Sequence, residues 1–96
     1  MAVKILIKRN IPENRAKDLM PYFGQLRGIA SSQPDYISGE TLKRIDRKGQ
    51  YLVISTWRSN DDWRRWVLSK ERTEIQNLID SMLGEKTEYE IYEYNR

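Results

Sequence analysis

Apolar residues alternate in direction along "AVKILIKR", residues 2–9, and this period of two, rich in β-branched side chains, predicts a first strand. The period then lengthens. Ala16, Leu19, Met20, Phe23 and Ala30 fall on one helical face, with Leu26 and Ile29 at its margin. Asn10, Pro12 and Glu13 stand just ahead in a capping-box pattern, so a helix is expected from there to about Ser31, bent at Pro21. Gln33-Pro34-Asp35 reads as a turn. "YISGETLKRI" (36–45) predicts a second strand with a bulge or close approach at Gly39. "DRKGQ" (46–50) is the hairpin loop, and "YLVISTW" (51–57) is the third strand.

Beyond Trp57 the helical pattern breaks in two. Trp63, Trp66 and Val67 point one way, whereas Ile75, Leu78, Ile79 and Met82 point about a third of a turn away. One straight rod cannot aim both groups at one core. Two helical pieces are therefore expected, over 60–68 and 70–83, opened by Ser59 and Asp62 and by Ser69, with Gly84 closing the second. "KTEYEIYEY" (86–94) predicts a last strand. The resulting β-α-β-β-α-β order is the ferredoxin-like α+β plan: one domain over residues 1–96, a four-stranded antiparallel sheet, and helices on one face.

The other face of that sheet does not read as wet. Val3, Ile5 and Ile7 point to one side and Leu6 to the other, beside Lys4 and Lys8; Tyr51, Val53 and Trp57 oppose Leu52 and Ile54. A sheet with one solvated face alternates more cleanly. A second copy packed sheet to sheet supplies the missing cover, and the pattern predicts a homodimer.

The composition narrows the function classes. The chain has 96 residues, 39% hydrophobic and 32% charged, so its core is thin. No apolar run approaches a membrane span, and the first ten residues lack a signal peptide's apolar region. Cysteine is absent, which excludes disulfides and thiolate chemistry and fits a cytoplasmic location. The net charge of +3 is spread, with no basic cluster longer than a pair such as Arg64–Arg65, as on a solvated mixed-charge surface. An RNA-recognition motif shares this element order. "KGQYLVIS" (48–55) keeps Lys48, Gly49 and Val53, yet Gln50, Leu52 and Ser55 stand where base-stacking rings belong, so no nucleic-acid partner is expected. With neither histidine nor cysteine there is no metal set, and Asp61–Asp62 read as a complement to a helix dipole.

The conspicuous cluster is aromatic. Trp57, Trp63 and Trp66, with Tyr51 and Phe23, have the flat surfaces that stack on a planar ligand, and Asn10 and Gln76 are candidates to hold a ligand oxygen. Arg58 and Arg64 are candidates to steady a phenolate. The plainer reading of the tryptophans is a filled core, and of the arginines a solvated helix surface paired with Asp61 and Asp62. No residue identifies itself as the catalytic proton acceptor, because the side chain matched to neutral pH is missing.

The stretch from Gln33 to Gly84 resembles the antibiotic biosynthesis monooxygenase (ABM) family, most specifically in Pro34-Asp35-Tyr36-Ile37-Ser38-Gly39-Glu40 and in the series Trp57, Trp63, Trp66, Ser69. The family usually has glycine where Asp35 stands. The resemblance implies a dimeric α/β-barrel and tolerates a proline within the first helix. It also implies one of several activities. Cofactor-independent members oxygenate small aromatic or quinol-like molecules, and this is the leading expectation, with no cofactor. A non-catalytic small-ligand-binding or stress-related protein is the alternative. The haem-degrading branch requires a first-strand asparagine and a helical histidine; Ile7 and Gln76 stand at those positions, and only Trp66 matches.

Overall fold

A computed structural model describes residues 1–95. The chain runs β1 (Val3–Asn10), α1 (Glu13–Ser31), β2 (Tyr36–Lys43), β3 (Gln50–Trp57), α2 (Asn60–Val67), α3 (Lys70–Leu83) and β4 (Glu90–Glu93). The strands form one antiparallel sheet in the order β2-β3-β1-β4, the ferredoxin-like α+β arrangement. No helix among the described residues is long and apolar enough to cross a membrane.

The register of β1 against β3 sets the two faces. Val3 lies opposite Trp57, Ile5 opposite Ser55, Ile7 opposite Val53 and Arg9 opposite Tyr51; these positions face the helices. Val3, Ile5, Trp57 and Trp63 form one core cluster, joined by Trp66 and Tyr89. Ile11, Leu19 and Ile79 form a second, with Phe23 and Tyr51 packed against it. On the other face Leu6 lies opposite Ile54 and Lys8 opposite Leu52, and Leu42 of β2 lies opposite Leu52. Neither core cluster includes Leu6, Leu42, Leu52 or Ile54, and Leu42 is 46% exposed.

The break between α2 and α3 falls where the phase of the apolar residues changes. The Ser59 hydroxyl accepts from the Asp62 N–H at 3.1 Å, and Ser69 accepts from the Arg72 N–H at 3.4 Å, so each helix has its own cap. Gly84 ends α3 at φ 71°, a left-handed conformation that glycine adopts without strain. A bulge shifts the β2–β3 register between Tyr36 and Ser38, ahead of Gly39, which is regularly paired with Ser55; a side chain at Gly39 would run into the Tyr36 hydroxyl, so the glycine serves a close approach.

Four expectations are corrected. Asn10 does not cap α1: it is the last residue of β1, held extended opposite Gln50, and Pro12 takes the cap position with no side-chain bond. Ladder pairing outcompetes the capping box there, and the Ile11 N–H continues it to the Gly49 carbonyl at 2.7 Å. The second strand stops at Lys43, leaving Ile45 in the loop, almost fully exposed. The last strand is shorter than 86–94, because Thr87 is drawn out of the sheet edge toward α3 by its side-chain bonds. Finally, Met20 and Leu78 are exposed rather than buried, and α3 instead turns Arg72 and Gln76 inward beside Ile79.

Candidate functional site

A cavity of about 190 Å³ opens between α1 and the helix-facing side of β1, β2 and β3. A dry cavity of about 150 Å³ admits benzene, so this space suits one substituted ring. Phe23 and Met20 come from α1, Tyr36 from the start of β2, Tyr51, Val53 and Trp57 from β3, and Trp66 from α2. The alternation of β3 explains why Tyr51, Val53 and Trp57 share the wall. Trp57 is 1% exposed and its ring lies 5.8 Å from that of Trp66, with the planes 22° apart. Tyr36 meets Trp57 edge-on at 5.4 Å. The Trp57 Nε1–H donates to Ser55 Oγ at 3.1 Å, so the indole is fixed at its polar end also.

Four of the seven residues singled out from the sequence therefore meet at the cavity: Trp57, Trp66, Tyr51 and Phe23. Three lie elsewhere. Trp63 is core, packed edge-on against Tyr89 at 5.6 Å. Asn10 is exposed at the end of β1 and borders a different depression near Lys43 and Arg44. Gln76 is 3% exposed but engaged: its Nε2 donates to Asp80 Oδ1 at 2.8 Å and to Thr87 Oγ1 at 2.7 Å, and the Thr87 hydroxyl donates to the same Asp80 oxygen at 2.7 Å. Arg58 and Arg64 do not reach the cavity; both are exposed, and Arg58 sits 4.0 Å from Asp35.

The cation that does line the cavity is Arg9, which the sequence reading passed over. It occupies the inward position after Val3, Ile5 and Ile7, and that parity was the available signal. Its guanidinium lies 4.8 Å from the Phe23 ring centre, and Nη1 donates to Thr87 Oγ1 at 3.3 Å. Burial pushes its pKa down to about 10, against the pull of Asp80. Arg72, over the Tyr89 ring at 5.1 Å, is lowered for the same reason, with Asp80 again opposing and Arg9 adding to the shift. No group of three or more His, Cys, Asp or Glu that would hold a metal exists among the described residues.

Residues 2–78 match the antibiotic biosynthesis monooxygenase family. The chain belongs to that family. Solved structures with the same fold include a conserved protein from Methanosarcina mazei Go1, 16% identical, with a TM-score of 0.89 over 99% of this chain and 94% of that one. SnoaB from Streptomyces nogalater, described as a cofactor-independent oxygenase, is 14% identical, with a TM-score of 0.80 over 99% and 94%. Rv0793 from Mycobacterium tuberculosis is 9% identical, with a TM-score of 0.86 over 100% and 97%. No curated protein matches the chain. At these identities the likeness is one of fold, and within the ABM family the fold does not choose the reaction.

Proposed function

We propose that this ABM-family protein is a cofactor-independent monooxygenase acting on a small aromatic or quinol-like substrate, held in the cavity beside Trp57 and Trp66. The observation that carries the reading is the stacked indole pair on the wall of a ring-sized space. SnoaB, with the same fold, is described as a cofactor-independent oxygenase.

The chemistry asks little of the side chains. An electron-rich phenol bound in the cavity loses its hydroxyl proton to water. The phenolate passes one electron to molecular oxygen, giving an aryloxyl radical and superoxide. These combine at the para carbon, forming a C–O bond, and the distal peroxide oxygen takes up a proton. Loss of water breaks the O–O bond, the ring carbon gives up its hydrogen as a proton, and the product is a quinone. One phenol and one oxygen molecule thus give one quinone and one water. The chain's part is to hold the ring, exclude bulk water and favour the ionised ground state.

Oxygen uptake by purified protein over a panel of phenols and hydroquinones tests the proposal. Uptake above background, diminished in Trp66→Phe and more so in Trp66→Ala, is expected. No uptake with any compound that binds leaves the second reading, a ligand-binding protein without turnover. One observation favours that reading: the chain has no histidine, and the Asp80 carboxylate beside Arg9 is already bound by Gln76 and Thr87.

The same proposal includes a second copy of the chain over the outer sheet face, where Leu6, Leu52 and Ile54 lie outside both core clusters and Leu42 is exposed. Sheet-to-sheet packing would dry that face and close the barrel. A chain without cysteine fits a reducing compartment, and we place it in the cytoplasm.

A further inference from the structure

We infer that the cavity takes its aromatic ligand as an anion, with the Arg9 guanidinium as counter-ion; this rests on the proposed reading of the cavity as a ring-binding site. Arg9 is 6% exposed and lines the cavity. Only its Nη1 has a protein acceptor, Thr87 Oγ1 at 3.3 Å; no other acceptor among the described residues takes the N–H groups on Nε and Nη2. Those nitrogens are not sealed in either, because among the described residues no fully buried side-chain nitrogen or oxygen lacks a partner. The unused donors are therefore not shut off from solvent. Arg9 also borders the depression beside Lys43 and Arg44, but its guanidinium lies over Phe23, a residue of the cavity and not of that depression, so the donors are placed toward the cavity.

The local charge is also unbalanced. Arg9 and Arg72 are both buried and both feel Asp80, so two cations share one carboxylate. One Asp80 oxygen is already taken by Gln76 and Thr87. Glu40 borders the cavity but does not compensate: its register opposite Ile54 turns its side chain to the outer face, where it is exposed. A buried cation without a full partner is costly, and an anion within hydrogen-bond reach removes that cost. Phe23 beneath the guanidinium fixes its plane, and Trp57 and Trp66 offer flat walls. The ligand that answers all three is a single-ring monoanion, an aryl carboxylate or an ionised phenol. A neutral ring of the same shape leaves Arg9 unmatched.

Calorimetry at neutral pH with para-hydroxybenzoate and para-hydroxybenzamide, which differ in charge far more than in shape, tests this. The wild type should bind the acid about tenfold or more tightly than the amide, the range of a charge-assisted hydrogen bond. Arg9→Met should abolish the preference, and Arg9→Lys should keep part of it. Asp80→Asn, which retains an acceptor oxygen for Gln76 and Thr87, should widen it; this arm decides the matter should Arg9→Met fail to fold. Para-nitrophenol, whose ionisation is visible by absorbance, separates the two sources. A fall in its pKa on binding assigns an ionised phenol, and an acid preference without that fall assigns a carboxylate. Equal binding of acid and amide by the wild type together with an unchanged para-nitrophenol pKa, or an acid preference unchanged in Asp80→Asn, overturns the inference. Anion preference without oxygen uptake overturns only the catalytic reading, and oxygen uptake with no anion preference overturns only this one.

Discussion

Trp57 and Trp66 stack with ring centres 5.8 Å apart, one from the end of a strand and the other from the helix that follows it. The two rings have different burdens. Trp57 is 1% exposed inside the first core cluster, whereas Trp66 only packs against it. Trp57→Ala should cost about 3–5 kcal/mol, and Trp66→Ala roughly half that or less. Urea denaturation reads the difference, with Trp66→Ala retaining a cooperative transition.

Gly39 and Tyr36 are matched across the β2 bulge. A methyl at position 39 meets the tyrosine hydroxyl, and the tyrosine in turn packs edge-on against Trp57. Gly39→Ala should cost about 1–3 kcal/mol through overpacking. The same substitution in a Tyr36→Phe background should cost less, since the nearest atom is gone. Equal costs in the two backgrounds would show that the hydroxyl is not what requires glycine.

The outer sheet face yields a prediction about assembly. Leu52, on the inner strand β3, lies opposite both Lys8 and Leu42 on that face. Leu52→Glu would place a carboxylate in a sheet-to-sheet interface, where its lost hydration outweighs the attraction of Lys8 opposite. Sedimentation at micromolar concentration should show a dimer for the wild type and a monomer for the variant, with secondary structure retained. A wild type that sediments as a monomer would remove the second copy from the proposal.

At the start of α2 the Ser59 hydroxyl both accepts from the Asp62 N–H and donates to the Asp62 carboxylate at 2.7 Å. This bond, with Arg65 assisting, holds the Asp62 pKa below its ordinary value despite some opposing desolvation. A carboxyl with a depressed folded pKa stabilises above its unfolded pKa of 3.8 and loses that contribution as pH falls through the folded value. Ser59→Ala should cost about 1 kcal/mol at neutral pH. The deficit should shrink below pH 3.8, which equilibrium unfolding of both proteins across the acid range measures.

Arg9 works in the opposite sense. Its folded pKa of about 10 lies well below the ordinary guanidinium value, so holding it charged costs the fold on the order of 3 kcal/mol. Between those two values the unfolded chain binds more protons than the folded one, and the Arg9 contribution makes stability rise with pH. Below about 10 the cost is constant. Arg9→Met should therefore be at least as stable as the wild type at neutral pH, and the difference should narrow only above pH 10. A variant much less stable at pH 7 would mean that the Thr87 and Phe23 contacts outweigh the desolvation.

Local rules carried far in this chain. The phase change after Val67, the Ser59 and Ser69 caps and the Gly84 terminator were legible because each depends on residues within one helical turn. The close approach at Gly39 was legible from the glycine itself, and the inward set Val3, Ile5, Trp57 followed from a period of two. The cavity was half legible for the same reason: strand parity put Tyr51 and Trp57 on one wall, and a helical face aimed Trp66 and Phe23 at it.

What the tertiary structure decided lies where two local preferences compete or where distant segments meet. Asn10 had the makings of a cap, but eight paired positions between β1 and β3 kept it in the strand. Gln76 stood at the margin of its helix, and only Thr87, eleven residues on, turned it inward. Arg9 reads in sequence as the last charged residue of a strand; it becomes a buried cation because Thr87 and Asp80 converge on it from the far end of the chain. Periodicity states which side of an element faces in. The charge balance there depends on every segment that arrives at the same point, and no window along the chain contains them all.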